Sequence, residues 1–220
     1  MTDRRFALLA IPLLFAAPAL AESVSYAVNS QAGNNSLAAT FDAPLGERIT
    51  ATSSEVGCEL SVDRAAGTAT GHCSVPLESI KVDGDSTKTK HFDEWATNKK
   101  VEPSACRFEF TLASARLEKP LATKTPVPFT GSGRFEICGR AKTPPGPETV
   151  TGTVTLMPAG SYGKDEILRL RVEIKGFDRE SYGISPKATP GWLARVQQLA
   201  PVVAAKGDVN LSLFAKRATP

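Results

Sequence analysis

Leu168-Arg169-Leu170-Arg171-Val172-Glu173-Ile174-Lys175 alternates an aliphatic with a charged side chain at every step. Successive side chains of a β-strand point to opposite faces, so this stretch reads as a strand with one apolar and one wet face. The same period recurs on both sides of it. Val24, Tyr26 and Val28 alternate with small polar neighbours, and so do Leu37, Ala39 and Phe41. Phe108, Phe110 and Leu112 alternate with Arg107, Glu109 and Thr111; Phe135 and Ile137 alternate with Arg134 and Glu136. Val150, Val154 and Leu156 stand among threonines, and Val209, Leu211 and Leu213 close the series. Parallel sheets are covered on both faces and give continuous apolar runs, so this alternation indicates an antiparallel sheet. About eight to ten such strands, separated by Gly, Pro, Asp and Asn turns, make the chain all-β, a sandwich or a barrel.

Two segments break the period. Residues 85–100 are charged, with Phe92 and Trp95 three apart, and form either a short helix or a long loop. Residues 189–199 read as a helix. Thr189 suits an N-cap and Pro190 the first helical position, while Trp192, Leu193, Val196 and Leu199 share a face. There is no internal repeat and no linker long enough to divide the chain.

Residues 1–21 carry Arg4 and Arg5, an apolar run from Phe6 to Leu20, and Ala19-Leu20-Ala21 before Glu22. That is the pattern of a secretory signal peptide, cleaved after Ala21. The run holds Pro12 and Pro18 and is too short for a span of ~20 residues. No other segment reads as a transmembrane span. Cleavage leaves residues 22–220 as a single domain, expected in a bacterial periplasm or outside the cell. The leader removes Arg4, Arg5 and Asp3, lowering the formal net charge from +3 to +2. So small an excess offers no electrostatic basis for binding nucleic acid.

An exported chain can keep disulfides. Its cysteines are Cys58, Cys73, Cys106 and Cys138, with no C-x-x-C pair among them. A hairpin turning at Arg64-Ala65-Ala66-Gly67 places Cys58 opposite Cys73, and we expect that bridge. Cys106–Cys138 then follows by elimination. Cys106 shares its face with Phe108 and Phe110, however, whereas Cys138 shares its face with Arg134 and Glu136. Opposed partners point to the same side, so a bulge or a strand end has to intervene.

The chain shows no G-x-S-x-G, no phosphate-binding loop and no dinucleotide fingerprint. His72 falls on the wet side of its strand. His91 lies beside Phe92-Asp93-Glu94 but has no second His nearby and no Cys at ligand spacing, so no metal site is expected. The apolar face of the sheet remains. It is either a filled core or the wall of a barrel cavity, since about eight antiparallel strands can enclose one small ligand.

Several segments, in order, resemble the YceI-like family of exported lipid-binding proteins. They are Val75–Val82, residues 85–95 with Asp85, His91, Phe92 and Trp95, the stretch Pro103–Phe108, Gly133–Gly139, Phe177–Ile184 and Gly207–Leu213. This chain departs from the family pattern in its four cysteines, in Tyr182 where a Phe is usual, and in the inserted 189–199. The resemblance implies a lipocalin-like antiparallel barrel of about eight strands with one or two short helices. It implies an elongated apolar cavity for an isoprenoid quinone or polyprenyl lipid, and no catalysis or cofactor beyond such a bound lipid. The inserted helix lies across a barrel mouth or packs outside.

These readings converge on a binding or carrier protein for a long apolar ligand. Inward candidates for contact are Phe108, Phe110, Leu112, Phe135, Ile137, Val154, Leu170 and Val172. Phe92, Trp95, Phe177 and Tyr182 are candidates for an entrance. Two other classes make distinct expectations. A structural or adhesion-type envelope β-sandwich has a filled core and no ligand. A hydrolase or isomerase using His91 with Asp93 or Glu94 has a pocket where those residues meet.

Overall fold

The computed structural model describes residues 23–185 and 203–218. The expected signal peptide and the expected helix at 189–199 lie outside them. Twelve strands form one antiparallel sheet: β1 (Ser23–Val28), β2 (Ser36–Asp42), β3 (Arg48–Ser53), β4 (Gly57–Asp63), β5 (Thr68–Pro76), β6 (Lys81–Val82), β7 (Arg107–Leu117), β8 (Pro126–Ile137), β9 (Arg140–Ala141), β10 (Glu148–Met157), β11 (Ile167–Asp178) and β12 (Lys206–Arg217). The alternation read from the sequence is what buries them: in β1, Val24, Tyr26 and Val28 are buried while Ser23, Ser25 and Ala27 face solvent.

The order β1-β4-β5-β7-β8-β10-β11-β12 closes on itself, because β12 pairs with β1. The protein is therefore a closed, lipocalin-like barrel of eight antiparallel strands. Of the remaining four, β2, β3 and β6 come from breaks along three barrel positions, and β9 pairs with the last steps of β8. One edge of β12 pairs with β2 along Gly207–Ser212 and with β1 along Ala215–Arg217. β1 and β2 are thus two halves of one position, divided by a 3-10 turn at Ser30–Ala32 and by Gly33 at φ 70°. β3 and β4 share the next position in the same way. After Pro76 the chain leaves β7, and β6 pairs only with β3 among the described residues. The wall is split there, between β6 and β7.

The helix α1 (Ser86–Thr97) lies at that end. It settles the reading of residues 85–100 in favour of a helix. The Asp85 carboxylate accepts from Thr87 N at 2.7 Å and Lys88 N at 2.9 Å, satisfying two first-turn donors. Asn98, at φ 55°, ends it in the left-handed conformation. Its start is tied to β6 by Val82 N donating to Thr89 Oγ1 at 3.0 Å. Its last turn reaches across the split to β9, where the Ala96 carbonyl accepts from the Arg140 guanidinium.

Both disulfides are formed. Cys58 and Cys73 are directly opposed on β4 and β5, with Cα atoms 4.1 Å apart, and the loop between the strands is residues 64–67 as expected. The facing conflict for Cys106–Cys138 resolves at strand ends. Cys106 ends the 3-10 turn Pro103–Ala105 just before β7. Cys138 and Gly139, at φ 48° and 72°, are the two turn residues between Ile137 and Arg140. Positive φ at both positions is the geometry of a tight hairpin turn, so Cys138 has left the strand whose alternation it continued in the sequence.

Candidate ligand cavity

The barrel encloses a cavity of about 380 Å³. That is the size of a small-molecule site rather than a packing defect. Its wall comes from the inward residues of β2, β3, β4, β5, β7, β8, β10, β11 and β12. It runs from Leu168 to Phe177 along β11. At ~3.3 Å per residue and a tilt of ~40°, that distance is roughly 20 Å along the barrel axis. The filled core expected of a structural sandwich is not what these strands build.

Two positions show how the sheet makes room. A Cβ added to Gly133 would sit 2.3 Å from Phe110 Cζ, so the Phe110 ring lies flat across the bare backbone and meets Phe135 at 4.6 Å between centroids. A Cβ at Gly207 would meet Phe41 Cδ1 at 2.5 Å, in its directly paired neighbour. Rings laid along the wall leave the axis open.

The α1 end is built by Lys88, His91, Phe92 and Trp95, which fall at helical spacing on one face and all line the cavity. Phe92 stacks on Phe108 with centroids 6.0 Å apart. Arg179 lines the same end and is buried. Its guanidinium donates to the carbonyls of Ile184, Val203 (2.7 Å) and Ala204 (3.1 Å). Burial holds its pKa below the ordinary arginine value.

Phe92, Trp95, Phe108, Phe110, Leu112, Phe135, Val154, Leu170, Val172 and Phe177 all line the cavity. Ile137 and Tyr182 do not, which corrects their expected place on it. Ile137 is fully buried but sits at the last step of β8, paired with Phe108 and Arg140, beyond the cavity wall. Tyr182 stacks behind Phe177, with centroids 5.2 Å apart and planes at 12°. Its hydroxyl donates to Glu148 Oε1 at 2.8 Å, and Lys142 Nζ lies 2.7 Å from the same oxygen. Burial first, and then that bond, push the Tyr182 phenol far above its usual range. Tyr182 therefore fixes the position of Phe177 rather than meeting the cavity.

His91 is not brought together with the two carboxylates at a pocket. Its side chain faces the cavity, which neither Asp93 nor Glu94 lines. Glu94 Oε2 lies 2.9 Å from Lys99 Nζ, and Asp93 faces a separate small polar pocket with Lys81 and Lys90. Asp93, two residues from His91, is off its face, and Glu94, three away, is a neighbour whose carboxylate is paired with Lys99 outside the cavity. His72 is on the outer wall, with Nδ1 3.4 Å from Thr111 Oγ1.

Sequence reasoning missed Phe129, Leu117, Leu37, Phe41, Leu213, Arg179 and Lys88, all of which line the cavity. Phe129 follows Pro126-Val127-Pro128, and two prolines disguise the strand. Counting back from Phe135 in steps of two reaches it. Among the described residues, no helix is long and apolar enough to cross a membrane, and no His, Cys, Asp and Glu group has the geometry of a metal site.

No family model matches the sequence, and no curated protein matches it either. Among solved structures the chain is similar to a polyisoprenoid binding domain from Saccharophagus degradans implicated in plant cell wall breakdown. The match covers 89% of this chain and 99% of that one, with a TM-score of 0.56 and 13% sequence identity. At that identity the likeness is one of fold, and this chain has the barrel fold of that domain.

Proposed function

We propose that the protein is an exported, non-catalytic carrier of the YceI-like kind, which holds a long apolar lipid such as an isoprenoid quinone or polyprenyl lipid inside the barrel. One observation carries the reading: an apolar cavity extends along the barrel axis and is walled almost wholly by aliphatic and aromatic side chains. Water in such a space forms few hydrogen bonds, and a hydrocarbon chain that replaces it gains about 25 cal/mol per Å² of apolar surface buried, less the cost of ordering the chain. The structural neighbour's description as a polyisoprenoid binding domain supports the same ligand class. The leader, read from the sequence, and the two disulfides support export.

Uptake of a polyprenol by delipidated protein tests this reading. The wild-type protein should bind it at one per chain. Phe110→Asp, which puts a charge in mid-wall beside Phe135, should lower affinity at least tenfold while the protein is still exported. Undiminished binding by folded Phe110→Asp would remove the barrel interior as the site.

A further inference from the structure

The polar side chains of the cavity wall are few, basic and gathered at one end. Lys88, His91 and Arg179 line the cavity at the α1 end, and among the described residues no carboxylate, amide or hydroxyl side chain does. Neutral ligands give no reason for that bias. A group that fixes orientation in an apolar pocket is matched to the polar part of its ligand. We infer that the cavity takes its lipid tail first, and that the head group left at the α1 end is acidic, a phosphate or carboxylate held by Lys88 and His91. This inference rests on the carrier reading and narrows its ligand class.

The neighbouring groups are consistent with that assignment. Lys88 Nζ is 2.7 Å from Asp83 Oδ2, which uses one of its three donors, and its side chain is 46% exposed at the rim. His91 is one turn further along the same face and is also exposed. Arg179 spends donors on three backbone carbonyls, and its nearest described carboxylate, Glu180, is 3.6 Å away and half exposed. It contributes positive potential at that end rather than direct contacts. Asp85 and Glu47 lie near enough to act on Lys88, and Glu94 near enough to feel His91, though its carboxylate is paired with Lys99; Asp93 faces Lys81 and Lys90.

The test compares matched pairs that differ only in the head group: farnesyl phosphate against farnesol, and palmitate against hexadecanol. Wild-type protein should bind each acid about tenfold or more tighter than its alcohol, as charged hydrogen bonds in a low-dielectric mouth allow. In Lys88→Gln/His91→Gln that preference should fall to about threefold or less. Lys90→Gln, off the cavity face, should keep the full preference and serves as the control for folding and overall charge. Equal binding of acid and alcohol by the wild type would overturn the head-group inference and leave the carrier reading intact. A preference that survives in the double variant would overturn the assignment to Lys88 and His91. Failure of the wild-type protein to bind any of the four lipids would overturn the carrier reading itself.

Discussion

The two ends of the barrel are built differently. At the end holding the β4–β5 loop, the circuit is closed by β1, which pairs with β4 on one side and β12 on the other. Tyr26 is 1% exposed there, and its hydroxyl donates to Glu166 Oε1 at 2.7 Å. Arg64, from the hairpin loop, bonds both of them. Three chain segments far apart in sequence are thereby fastened across one end. At the α1 end the wall is split between β6 and β7, and half-buried Phe92 and Trp95 lie over the opening. One end is fastened by pairing and a buried polar cluster; the other is covered by a helix held at its two termini. The difference separates the parts that set stability from the parts that set access.

Tyr26→Ala should break the comparison most severely. Deleting a fully buried aromatic costs about 3–5 kcal/mol, read as a lower urea midpoint with an unchanged slope. Replacing Cys58 and Cys73 with serine, which opens a closure of 15 residues in mid-wall, where Cys73 pairs with Phe110, should cost about 3 kcal/mol on the chain-entropy account.

A pH series comes next. Burial and the bond to Glu166 raise the Tyr26 phenol from its ordinary value of 10.0 to about 12. The proton is therefore held more tightly in the folded state. The stability it brings is complete below pH 10 and disappears as pH rises from 10 to about 12, a loss of roughly 3 kcal/mol. Tyr26→Phe should flatten that part of the curve. Urea midpoints measured from pH 8 to 12 check it, and equal slopes in the two proteins would contradict the assignment to Tyr26. The smallest effect on stability should come from Trp95→Ala at the α1 end, about 1 kcal/mol for a half-buried ring. Its larger effect should be on access: bound polyprenol should leave severalfold faster in stopped-flow exchange.

The sequence made the strand faces legible because facing depends only on period two, which local chemistry sets. The walls at Phe108, Phe110, Leu170 and Val172 follow from it. Depth along the barrel does not, since a residue at the last step of a strand alternates like one in the middle. For that reason Ile137 reads as a cavity residue and is not; Tyr182, an entrance candidate, lies in the 3-10 turn after β11, where no strand period applies. Lys81–Val82 and Arg140–Ala141 are strands of two residues, too short to show any period. The turn at Cys138-Gly139 was hidden because Arg134 through Cys138 continues the alternation without a break. Nothing in a period of two marks Lys88; the helical spacing of α1 is what aligns it with His91, Phe92 and Trp95.

The central claim is that the barrel interior is a lipid site. Mass spectrometry of an organic extract from protein purified out of the periplasm tests it most directly. The account predicts a stoichiometric isoprenoid or other long-chain lipid in the wild-type extract, sharply reduced in Phe110→Asp. A clean wild-type extract, together with no uptake of added quinone or polyprenol, would contradict it.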